Sequence, residues 1–118
     1  MDELNKLSEV RFSEDGEGIA VEGDLNELNA SVFTTMVRAL SFNADRPLTL
    51  DLSKLEIDDG IAVATCVNAL RELRARTVRL VLRGAPQMLG HNLYRVGMLE
   101  GPAAIELLDM RLDEPSGF

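Results

Sequence analysis

The chain has 118 residues, with 20 acidic side chains against 12 basic ones and a formal net charge of −8; 46% of it is apolar and only 4% aromatic. That length fits one domain with an aliphatic core, and the charge argues against nucleic acid or anionic lipid as a partner. A single cysteine, Cys66, excludes an internal disulfide and any CxxC metal or redox motif. The acidic start MDELNKLSEV reads as no secretory signal, and no apolar run approaches the roughly 20 residues of a membrane span. A reducing cytoplasm is the expected compartment. The acidity is lopsided: residues 1–60 carry 14 acids and 5 bases, residues 61–118 carry 6 and 7. Glu14, Asp15, Glu17, Glu22, Asp24 and Glu27 follow one another with no base between them. Such a stretch is a solubility face or a steering surface for a basic partner.

Val10-Arg11-Phe12-Ser13 and Ile19-Ala20-Val21-Glu22 flank the turn Asp15-Gly16-Glu17-Gly18, which predicts a β-hairpin. Gly23-Asp24-Leu25-Asn26 breaks the second strand. Asn29 is placed as an N-cap, and Val32, Phe33, Met36, Val37 and Leu40 recur at helical spacing toward an end near Asn43. Leu48-Thr49-Leu50-Asp51-Leu52 predicts a strand that runs into the break Asp58-Asp59-Gly60. A helix is expected from Ile61 to about Arg74, burying Val63, Cys66, Val67, Leu70 and Leu73 and turning Thr65 and Asn68 outward. Val78 to Leu82 predicts a strand. Gly84-Ala85-Pro86 opens a third helix with Met88, Leu89, Leu93 and Val96, and Ile105 to Leu108 is a last strand or a short helix. Residues 111–118 read as a tail.

The order β-β-α-β-α-β-α-β implies right-handed crossovers and a mostly parallel mixed sheet of four or five strands, with three or four helices. In open sheets of this class, sites form beyond the carboxyl ends of the strands. The Asp24 and Asp58-Asp59 breaks are both expected there, on one edge. Carboxylates before a helix are commonly caps, each contributing about 0.3–1 kcal/mol. A Mg²⁺ site built from Asp24, Asp58 and Asp59 is chemically conceivable. No phosphate cradle is present: Gly16-Glu17-Gly18 is short and acidic, and no GxxxxGK[ST] occurs. The only lysines, Lys6 and Lys54, come too early for a response-regulator receiver. His91 reads as an exposed helix position and Cys66 as an inert core thiol. No catalytic residue, cofactor or metal is expected.

Several segments, taken in order, resemble one family. Leu50-Asp51-Leu52-Ser53-Lys54-Leu55-Glu56 resembles the LDLSGLEF strand and loop of the sulfate transporter and anti-sigma factor antagonist (STAS) domain, and Gly23-Asp24-Leu25 resembles its G-E/D-L-D break. Leu70 to Arg74, Val78 to Gly84, and Leu93 to Leu99 are similar to the segments that follow. The resemblance covers roughly residues 9–110 and implies a single STAS-like α/β domain over 1–118. It also implies a cytoplasmic, non-catalytic regulator docking an anti-sigma factor or serine-kinase-like partner. STAS domains also serve as accessory subunits of transporter ATPases, including lipid transporters. A small-ligand or metal-binding domain is the remaining alternative. The partner-binding set implied here is Asp24, Asn26, Asp58, Asp59, Gly60, Thr65 and Asn68.

The family motif D-S-A/S-G-L carries a serine that a partner kinase phosphorylates. Ungapped, that serine falls on Gly60 and the family glycine on Ala62; with one residue deleted, the serine falls on Asp59. Neither placement supplies a hydroxyl. A phosphoserine would bring about −1.5 to −2 charge to the helix start. Here Asp58 and Asp59 supply fixed negative charge, so the usual switch is expected to be absent. Ser53 is expected to cap the strand-loop turn, and Thr65 lies a turn into the helix.

Overall fold

The computed structural model describes residues 10–15 and 18–111. Gly16, Glu17 and the expected tail beyond Arg111 lie outside the described residues. Strands β1 (Arg11–Asp15) and β2 (Gly18–Leu25) pair antiparallel as the expected hairpin. Then come α1 (Ala30–Ala39), β3 (Leu48–Ile57), α2 (Gly60–Ala75), β4 (Leu80–Arg83), α3 (Gln87–Arg95) and β5 (Glu106–Leu108). The five strands lie in sequence order, and every pair after the hairpin is parallel. Each crossover therefore steps the same way. Right-handed crossovers of that kind put all three helices on one face of the sheet.

The strand residues sort accordingly. Ile19, Val21, Leu25, Leu50, Leu52, Leu55, Leu80 and Leu82 are buried under the helices. On the other face, Arg11 pairs with Glu22 at 2.8 Å and Arg79 with Glu106. From the helices, Phe33, Val37, Val63, Cys66, Val67, Leu70, Leu73, Leu89 and Leu93 complete the core. Val32, Met88 and Val96 share the helical spacing but are exposed. Periodicity placed them near the core, whereas Val32 and Met88 each lie one residue off the buried stripe and Val96 falls past the end of α3.

Four boundaries differ from the sequence reading. Strand β2 runs through Gly23 and Asp24 to Leu25, where a break was expected, because these residues pair with Leu55, Glu56 and Ile57 of β3. Helix α1 ends at Ala39 rather than near Asn43, because Leu40 is extended. The Arg76 guanidinium donates to the carbonyls of Val37 (3.1 Å), Arg38 (3.4 Å) and Leu40 (2.8 Å) and stacks over Phe42 at 5.0 Å. A cation there satisfies the last carbonyls and the negative helix end. Strand β3 runs on to Ile57, where a loop was expected. Between Ala20↔Asp51 and Glu22↔Lys54, β2 advances two residues and β3 three, which is a β-bulge. Ser53 sits in this bulge instead of capping a turn: its amide and hydroxyl donate to Asp51 Oδ1 at 2.9 and 2.6 Å. Those two bonds hold the Asp51 carboxyl below its ordinary pKa. Strand β4 starts at Leu80, leaving Val78 exposed with its amide on Ala44 O.

Strand β4 pairs with β3 only as far as Asp51↔Arg83. Past that point Arg111 takes over, donating to Leu52 O (3.2 Å), Leu55 O and Gly84 O (2.9 Å) and pairing with Glu56 at 3.1 Å. Arg111 was expected at the head of a tail; its side chain instead closes the polar edge of β3.

Burial leaves the Cys66 thiol fully covered and pushes its pKa up to about 12. Native protein at about pH 8 is expected not to react with an aromatic disulfide reagent, and denatured protein is expected to react fully. Rapid native reaction would mean that α2 opens locally.

Candidate docking rim

Strands β2 and β3 end side by side, Leu25 opposite Ile57, so both following loops leave one edge of the sheet. Asp58 donates its amide to Leu25 O at 2.9 Å, which carries the pairing one step further. The first loop is held by two asparagines. Asn26 Oδ1 accepts from the amides of Leu28 (2.8 Å) and Asn29 (3.1 Å). Asn29 Oδ1 accepts from Asn26 N (2.8 Å), and its Nδ2 donates to Asp24 O (2.7 Å). Asn29 does occupy the position before α1, but its buried side chain turns back across the loop rather than capping the helix. Asparagine suits this position because it offers both an acceptor and a donor.

Asp59 joins the two loops. It caps α2 through Oδ1, which accepts from Ala62 N at 2.8 Å, while Oδ2 accepts from Glu27 N at 3.0 Å. An ionised carboxylate fits both tasks because each oxygen accepts and neither donates. Gly60 opens α2, and a Cβ added there would meet nothing within 4 Å.

Of the residues expected at the site, Asn26, Asp58, Asp59 and Gly60 meet at this rim. Asn26 and Asp59 are largely occupied in building it, whereas Asp58 and Gly60 are exposed. Thr65 is half-buried and Asn68 exposed, one and two turns along α2. Asp24 stands apart: it alternates with buried Leu25 and lies with Glu22 on the helix-free face. That separation removes the three-carboxylate arrangement a Mg²⁺ site would need. Among the described residues no group of three or more His, Cys, Asp or Glu could hold a metal, and none of the helices could cross a membrane. His91 is exposed on α3, its Nε2 3.5 Å from Gln87 Nε2. The rim therefore offers shape, charge and apolar surface.

Sequence reasoning passed over Leu28 and Ile61, both exposed at the rim. The signal for Ile61 was present. It shares an i, i+4, i+7 stripe with Thr65 and Asn68, off the Val63–Val67–Leu70 stripe. Leu28 had no such marker, because its exposure depends on how the Asn26–Asn29 turn closes.

A family model described as Mlab, STAS domain, matches residues 8–108. The chain belongs to the STAS domain family. Compared with curated proteins, it matches none. STAS domains are in general non-enzymatic and mediate protein–protein interactions, and the hairpin followed by three parallel crossovers fits their fold. The start of α2 carries carboxylates at Asp58 and Asp59 and no side chain at Gly60.

Proposed function

We propose that this STAS domain is a cytoplasmic, non-catalytic regulator that docks a protein partner through the rim formed by the β2–α1 and β3–α2 loops. Asp24, Asn26, Asp58, Asp59, Gly60, Thr65 and Asn68 are the proposed contact set, with Asp24 reached around the edge of the sheet. The observation that carries the reading is the carboxylate of Asp59. It fastens the two loops together and leaves the open start of α2 facing solvent at Gly60. The partner class favoured by the resemblance is a serine-kinase-like anti-sigma factor. Gly60 has no hydroxyl to accept phosphate, so docking there is not switched in the family's usual way. The same observation favours a second reading, in which the domain is a constitutive subunit of a transporter ATPase.

Purification of the tagged chain from its own cells separates the two: a kinase-like regulator supports the first, and a membrane-associated ATPase supports the second. Asp58→Asn with Asp59→Asn is expected to weaken recovery of the partner about tenfold, equivalent to about 1.4 kcal/mol. The melting temperature should fall only slightly, because an asparagine oxygen still caps α2 while its amide nitrogen gives up the bond from Glu27 N. Unchanged recovery would remove the rim from the interface. Stoichiometric phosphate on Ser53 or Thr65 would overturn the unswitched reading.

A further inference from the structure

Leu28 is 55% exposed and Ile61 58%, and Val32 is 37% exposed one turn beyond Leu28. Single exposed aliphatics are ordinary on a protein surface. These are tied into one place: Glu27, beside Leu28, donates its amide to Asp59, two residues before Ile61. Around them the charge has one sign. Residues 24–37 and 55–70 contain no Lys or Arg, and of their acids Glu27, Asp58 and Asp59 lie at the rim, whereas Asp24 and Glu56 lie side by side on the helix-free face. Among the described residues, Arg111 reaches in to pair with Glu56 and the β3 carbonyls, and Arg76 reaches Val37 O at the far end of α1.

We propose that the partner presents an apolar side chain ringed by Lys or Arg, with the apolar centre lodged between Leu28 and Ile61 and the basic ring answering Glu27, Asp58 and Asp59. The inference rests on the docking reading above and gives that surface its recognition chemistry. A second copy of this chain does not fit, because an isologous contact would set this acidic rim against itself. Nucleic acid and anionic lipid are repelled by the same charges. A basic, apolar protein surface gains from both features: the desolvated centre supplies affinity, and the charged ring supplies steering and register.

The test places a photo-crosslinking amino acid at Asn68 on the outer side of α2, or at Tyr94 on α3, in the full chain in its own cells. The expected result is an adduct from Asn68 whose crosslinked peptide holds an apolar residue flanked by Lys or Arg. Leu28→Ser with Ile61→Ser should lower its yield at least about tenfold, with the melting temperature held. Leu28→Ala with Ile61→Ala gives the same comparison with a stronger helix former at position 61. The purified complex should weaken steeply between about 50 and about 500 mM NaCl. An adduct from Asn68 that is indifferent to both variant pairs and to salt would overturn this inference and leave docking at the rim standing. An adduct from Tyr94 and none from Asn68 would overturn both.

Discussion

Phe33→Ala is expected to lower the free energy of unfolding by about 3–5 kcal/mol. The ring has no exposed surface and is the largest fully buried side chain, and it sits 5.7 Å from the Phe12 ring at a tilt of 39°. Its loss leaves a cavity between α1 and the hairpin, and domains of this size have about 5–15 kcal/mol in all. Urea unfolding followed by circular dichroism measures the loss directly. Phe33→Leu, which keeps most of the volume, should cost much less. A loss below about 1 kcal/mol for the alanine variant would mean that α1 is not seated on the sheet as described.

Gly84→Ala should cost about 3 kcal/mol, from two separate sources. The backbone there has φ +69°, where a side chain is strained. A Cβ would also stand 2.7 Å from Ser53 Cβ and 2.9 Å from Ser53 Cα, so the backbone of the β3 bulge would have to move. Ser53→Gly removes the first of these contacts and leaves the second, so the double variant should recover part of the loss. A double-mutant cycle on the denaturation midpoints reads that coupling, and strict additivity would show that the two residues do not meet. The effect should reach the rim. Gly84 O holds Arg111, and Arg111 closes the half of β3 that leads to Asp58 and Asp59.

The strand–helix alternation was legible because most core positions keep a clean period: Ile19 and Val21 in one strand, Leu48, Leu50 and Leu52 in another, Val63, Val67 and Leu70 on a helix. What escaped depends on residues distant in the chain. The early end of α1 is set by Arg76, 36 residues beyond Leu40. The extension of β3 was hidden because Ser53, Lys54 and Glu56 are polar and exposed, which locally reads as loop; pairing with β2 and the reach of Arg111 make it strand. The common edge of the two acidic breaks followed from topology alone. The face of Asp24 was not read from the sequence, since a side chain's face depends on strand phase and a single residue reverses it.

Arg76 has a consequence beyond ending a helix. It grips the last carbonyls of α1 from the far end of α2, while the carboxylate of Asp59 grips the loop before α1 from the near end of α2. The two helices are thus clasped at both extremities, and the loop that carries Leu28 is tied to the start of α2 beside Ile61 in the free protein. A partner meeting that surface finds it already held in place, so association forfeits little chain freedom and bound and free coordinates should superpose closely there.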